Sequence, residues 1–179
     1  IYYIDDIRFV EKENVALEDF EAGTAYLPWE PLDQQTLLHG SFAVIDNPDP
    51  TGINTSVYVG EYTKGTSAFS TVAAVAPGLI DISTRPQYNV DVYAPGPGTV
   101  IFQLESVSQG NKEVERNIAA GGVWENISFD FSSYQSITDW ASIRMIFNPG
   151  VAEEGAVFYF DNLTQSQTTV DPCEGTVLI

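Results

Sequence analysis

The chain has 179 residues, of which 44% are hydrophobic and 12% aromatic, enough for one domain with a sizeable core. Only 7 Lys and Arg stand against 25 Asp and Glu, a formal charge of -18. That balance excludes a phosphate-neutralising surface for nucleic acid and repels anionic membranes and strongly anionic glycans at long range.

In chain order, residues 1–10 (IYYIDDIRFV) read as a strand, and residues 11–14 (EKEN) as a charged linker. Residues 15–165 read as one module, opening on VALEDFEAG and closing on FYFDNLTQ. Inside it, QYNVDVYA alternates: Tyr88, Val90 and Val92 share one face, and Asn89, Asp91 and Tyr93 the other. TVIFQLES sets Val100, Phe102 and Leu104 against Ile101, Gln103 and Glu105. SIRMIFN sets Ile143, Met145 and Phe147 against Arg144, Ile146 and Asn148. Turn chemistry separates such runs in DNPDPTG, APGPG, SQGN, AAGG and NPG. The one weak helix signal is SSYQSITDWASI, which allows a single helical turn in a loop. Residues 166–179 read as a polar linker into a following module. No apolar run reaches the length of a membrane span, so direct insertion is not expected. Cys173 has no partner within the chain and does not fix a compartment. Short alternating strands with these turns predict an all-β, antiparallel sandwich or jelly roll.

The two ends carry one motif. Tyr2-Tyr3-Ile4-Asp5-Asp6-Ile7 aligns with Phe158-Tyr159-Phe160-Asp161-Asn162-Leu163. The simplest reading is a tandem array cut off-register, with residues 1–10 the last strand of a preceding repeat and neighbouring modules as partners. Two alternatives stay open: a chance likeness, or pairing of the first strand into its own or a neighbour's sheet.

Candidate chemistry is sparse. If their strands are neighbours, Asp91, Tyr93, Gln103, Glu105 and Arg144 form one polar patch with one aromatic, the composition of a sugar-binding face. A hydrated outer sheet face reads equally well. Trp29, Tyr62, Phe69 and Trp140 stand in loop-like contexts suited to loop-tip platforms, and Trp124 reads as core. An enzyme is not expected. Glu113 with Glu115, and Glu153 with Glu154, read as solvated charges rather than a glycosidase pair. His39 is the sole histidine, with no nucleophile motif beside it. Asn54, Asn126 and Asn162 open N-x-S/T sequons.

The ordered set EDFEAG, AVIDNP, NTSVYVGEY, LIDIST, YNVDVYAPGPGTVIFQLE, GGVWENISFDFSSY, IRMIFNPG and VFYFDNL resembles jelly-roll carbohydrate-binding modules. It is most similar to those of secreted glycan-degrading enzymes and tandem-repeat surface proteins of marine and gut Bacteroidetes. The resemblance covers residues 15–165. It implies a galactose-binding-like sandwich in an extracellular or cell-surface protein, binding a glycan on a concave face or at loop tips; the net charge makes a neutral polysaccharide the expected ligand. It also implies a structural calcium between the first and last strands, with Glu21 and Asp161 as its ligands and Asp19, Asp46 and Asn47 able to add oxygens. Asp5 is then the matching ligand of the preceding module. Related modules also serve as spacer repeats of giant adhesins with no ligand of their own, so that reading stays beside the binding one.

Overall fold

The computed structural model describes residues 14–75 and 80–168. The expectations for residues 1–10 and for Cys173 lie outside these. Eleven strands follow one another among the described residues: β1 (Asn14–Glu18), β2 (Trp29–Pro31), β3 (Ser41–Asp46), β4 (Tyr58–Thr63), β5 (Val72–Val75) and β6 (Gln87–Tyr93) come first. Then come β7 (Gly98–Ser106), β8 (Gly110–Ile118), β9 (Trp124–Asp130), β10 (Trp140–Phe147) and β11 (Val157–Ser166). They form two antiparallel sheets. The first has the order β3-β4-β11-β6-β9, with β1 alongside the end of β11; the second has the order β2-β5-β10-β7-β8. The fold is therefore an all-β sandwich, as the alternation requires. The SSYQSITDWASI stretch holds one 3-10 turn, Ser132–Tyr134. No helix among the described residues is long and apolar enough to cross a membrane.

Period two fixes what lies between the sheets. Tyr88, Val90 and Val92 of β6 face Val100, Phe102 and Leu104 of β7 and Ile143 and Met145 of β10, all at most 1% exposed. Rings carry much of this core. Phe147 stacks on Phe158 at 4.6 Å, and Tyr88 lies 4.9 Å from Phe102. Each such ring contributes about 1.5–3 kcal/mol by leaving water. Three of the four residues read as loop platforms belong here instead. Trp29 begins β2, Tyr62 lies on β4 and Trp140 begins β10, and all three are buried. Trp29 lies on a three-residue strand too short to show alternation, whereas Tyr62 and Trp140 sit near the ends of longer strands, next to turns. Phe69 alone remains exposed, at 58%.

Gly60 of β4 shows how tightly one end is filled. It pairs with Phe160, and a Cβ there would come within 2.9 Å of the rings of Phe20 and Phe42. Those rings close on Phe160 at 5.5 and 5.7 Å.

Two features shape the outer face of the first sheet. The register of β11 against β6 shifts between Asp161 and Thr164, where Asn162 adopts φ 51. Such a bulge re-aims side chains, and Asn tolerates the left-handed conformation better than most residues. The β3–β4 loop, residues 47–57, crosses over this face. Asn54 reaches Asp161 on β11, and the carbonyl of Asp49 accepts the indole N–H of Trp124 on β9 at 2.9 Å. Trp124 is thus buried, but under this loop on the outer side of its sheet and not in the core between the sheets.

Candidate functional site

Register decides which of the sequence candidates meet. Arg144 of β10 stands opposite Gln103 of β7 on one side and Ala73 of β5 on the other, and Ala73 stands opposite Glu30 of β2. Glu105 lies one outward position along β7, opposite Ser142. These side chains form one network on the outer face of the second sheet. The guanidinium of Arg144 pairs with Glu105 and donates to Gln103 at 3.4 Å. Ser142 donates to the same carboxylate at 3.0 Å, and Gln103 donates to Glu113 of β8. The Nε of Arg144 is buried without a partner. Arg144 also lines a depression of about 360 Å³ walled by Glu30 to Gln34 and by Ala73 and Val75. Two adjacent wall residues, Asp33 at φ 57 and Gln34 at φ 54, hold a left-handed backbone that costs free energy in a non-glycine residue. The aromatic residues of these strands, Trp29, Phe102, Trp140 and Phe147, all belong to the core. This outer face therefore has hydrogen-bonding groups and no stacking ring.

Asp91 and Tyr93 do not join that network. They lie on β6, in the other sheet, and point away from the core on the opposite side of the sandwich. The single five-residue patch is therefore two half-patches. Alternation assigns a side chain to a face of its own strand, but not that strand to a sheet. Around Asp91 the outer face of the first sheet runs in rungs. Tyr159, Tyr93 and Trp124 form an aromatic rung with ring centroids 5.7 and 5.6 Å apart. Asp161, Asp91 and Asn126 form the next. Asp91 accepts from Asn126 Nδ2 at 2.7 Å and from Asn162 Nδ2 at 2.9 Å.

Of the four calcium candidates, Asp161 is the one with a buried carboxylate oxygen left without a hydrogen-bond partner. It is fully buried, Oδ2 accepts from Asn54 Nδ2 at 2.9 Å, and Oδ1 has no partner. Burial, with Asp91 adding a little, pushes its carboxyl up from 3.8 to about 6 against hydrogen bonds that act the other way. Glu21 is exposed, and its Oε1 accepts from the Val57 N–H at 3.0 Å. Glu21 and Asp161 thus hold opposite ends of the 54–57 turn. Asp19 accepts from the Glu21 N–H at 3.2 Å, and Asp46 ends β3 in solvent. No three Asp, Glu, His or Cys side chains converge among the described residues. A hard cation here fits Asp161 Oδ1 as its anchor and needs most of its six to eight oxygens from amides and carbonyls.

Several residues carry more than their sequence showed. Glu18 is 1% exposed and accepts backbone N–H groups from Phe20, Tyr26 and Leu27, the last at 2.8 Å. It thereby closes the 19–27 loop and holds Phe20 at φ 53. Lys64 is 1% exposed and donates to the carbonyls of Phe147, Asn148 and Val151 at 2.7, 3.2 and 3.0 Å. Desolvation lowers the pKa of its ammonium, and Glu153 at 3.8 Å counters that. A lone charge in a strand run gives no advance sign of such burial. The three sequon asparagines had a sign that pointed elsewhere: Asn54, Asn126 and Asn162 are the amide donors to Asp161 and Asp91. His39 is structural, its carbonyl accepting from Tyr62 Oη at 2.6 Å and its Nδ1 from the Thr71 N–H at 3.3 Å.

No family model matches the chain, and no curated protein sequence does. Solved structures do. The tandem CBM22-1–CBM22-2 domain of Paenibacillus barcinonensis Xyn10C superposes with TM-score 0.60 at 13% identity, over 90% of this chain and 52% of that one. CBM27-1 of Caldicellulosiruptor saccharolyticus gives 0.58 at 14%, over 85% and 96%. The CBM22-1–GH10 modules of Clostridium thermocellum xylanase 10B give 0.56 at 14%, over 91% of this chain but only 28% of the xylanase chain. The fold is the jelly roll of carbohydrate-binding modules. Identity this low establishes shared architecture, and the chemistry has to come from the faces themselves.

Proposed function

We propose that the chain is a non-catalytic carbohydrate-binding module of a larger secreted or cell-surface protein. It holds a neutral glycan weakly on the outer face of its second sheet. The observation that carries this is the Arg144 network, in which Gln103, Glu105, Ser142 and Arg144 are locked together beside the depression walled by residues 30–34. Gln103 and Ser142 are buried and hold Arg144 and Glu105, which stay partly exposed, in fixed positions from which a guanidinium and a carboxylate can read sugar hydroxyls without reorganising. Arg144 is already paired with Glu105, and Glu30, Asp33 and Glu113 surround it, so a sulfate or uronate clamp is disfavoured. Two of the similar modules were solved with neutral oligosaccharides, xylohexaose and mannohexaose. Calcium, held by Asp161 with Glu21, would tie the 54–57 turn to β11 and neutralise the buried carboxylate.

Isothermal calorimetry with β-glucan, mannan and xylan tests the reading. Weak binding with little salt dependence, weakened by about tenfold or more in Arg144→Ala, is expected. Tight, salt-sensitive binding to alginate or carrageenan would overturn it. The face without aromatics favours a second reading, a spacer repeat of a surface adhesin, which the Tyr2–Ile7 and Phe158–Leu163 motifs also suit. Silence toward every glycan, with Tm and fold unchanged, would select it.

A further inference from the structure

We propose a second ligand site on the opposite side of the sandwich, a shallow pocket on the first sheet that takes one neutral sugar residue through a vicinal diol. The pocket measures about 400 Å³ and is lined by Asn14 of β1, Asn89 and Asp91 of β6, Asn126 of β9, and Asn162 and Thr164 of β11. Every lining residue is polar, and only one is charged. It opens where the β11 bulge turns Asn162 out of register.

The orientation of the amides follows from Asp91. An ionised carboxylate only accepts hydrogen bonds, so Asn126 and Asn162 must turn their Nδ2 toward it, as they do at 2.7 and 2.9 Å. Their Oδ1 atoms then face away from Asp91, and each Nδ2 keeps a second N–H. Each amide thus offers one acceptor and one donor in a fixed plane. Asn89 is held by more partners, its Oδ1 accepting from Ser128 Oγ at 2.7 Å and Gln87 Nε2 at 3.1 Å and its Nδ2 donating to Ser166 Oγ at 3.2 Å. A pair of adjacent hydroxyls, each donating and accepting once, complements such amides; an anion meets Asp91 and is refused. Tyr93 and Tyr159, half-buried with ring centroids 5.7 Å apart, lie one rung beyond the pocket lining, where they could meet the apolar face of a sugar extending past it. The second-sheet face has no counterpart to that pair of rings. This site does not depend on glycan binding at Arg144, and either can fail alone.

The test is heteronuclear NMR of the side-chain amides during titration with free glucose, mannose, galactose and xylose, one at a time. At least one sugar should shift the Asn126 and Asn162 amide signals at millimolar concentration. Thr164→Val and Asn126→Ala should each weaken that binding about tenfold or more, while Arg144→Ala leaves it unchanged. If the variants unfold, the shifts in the unaltered chain still decide. The proposal is overturned if none of the four sugars moves these amides at tens of millimolar. It is also overturned if calcium chloride moves them and the sugars do not, or if Arg144→Ala abolishes the shifts.

Discussion

The two outer faces of this sandwich come from equally regular strands and end up with different equipment. The second-sheet face is centred on one partly exposed ion pair, and its strands send no aromatic ring outward. The first-sheet face has an aromatic rung and a carboxylate pair, and part of it is roofed by residues 47–57. The difference teaches that outward phase alone does not expose a side chain: a loop covers some, and neighbouring outward side chains cover others, as Arg144 and Glu105 do for Gln103 and Ser142. Trp124 and Asp161 point outward and are nonetheless buried, whereas Glu105 and Arg144 point outward and stay reachable.

The comparison breaks most severely if the roof is removed. Trp124→Ala should cost about 3 kcal/mol, because it deletes a large buried ring and the N–H that holds Asp49. Chemical denaturation measures this, and an unchanged midpoint would show that the loop does not depend on Trp124. Arg144→Ala should cost less, about 1–2 kcal/mol, since its side chain is 16% exposed and its partner Glu105 36%. The same change should weaken neutral-glycan binding by about tenfold or more if the face works as proposed.

Asp161 sharpens the contrast through pH. Its folded pKa of about 6 lies above the ordinary 3.8, so the folded chain binds the proton more tightly than the unfolded chain. In EDTA, this group should therefore raise Tm as pH falls from above 6 toward 4, and Asp161→Asn should flatten that rise. Calcium at Asp161 would stabilise the ionised form and reverse the trend, so the two melting series should diverge above pH 6. Superimposable series with and without calcium would reject the metal site. The smallest effect is expected from Tyr93→Ala on glycan binding at Arg144. Tyr93 lies on the far side of the sandwich, so affinity there should hold within about twofold. A complete loss would mean that the Arg144 face is not the binding surface.

Much of the fold was legible because period-two alternation is local. Tyr88, Val90 and Val92, like Phe102 and Leu104, face the core as their spacing required. Strands too short to alternate, such as Trp29–Pro31, were not legible, because three residues carry no period and only their pairing with β5 defines them. Half of the candidate site was legible too: Gln103, Glu105 and Arg144 share a face because β7 and β10 are partners. Asp91 and Tyr93 shared the outward phase but not the sheet.

By itself the sequence determined the sandwich class, the inward and outward sets of each long strand, and a charge that disfavours anionic ligands, because all three follow from residue type and spacing. Tertiary structure alone decided that β6 lies across the core from β7 and β10, that residues 47–57 cover Asp161 and Trp124, and that three sequon asparagines clamp two aspartates. Those outcomes depend on contacts between residues as far apart as Asn54 and Asp161. No local pattern encodes which distant strand or loop will arrive beside a given side chain.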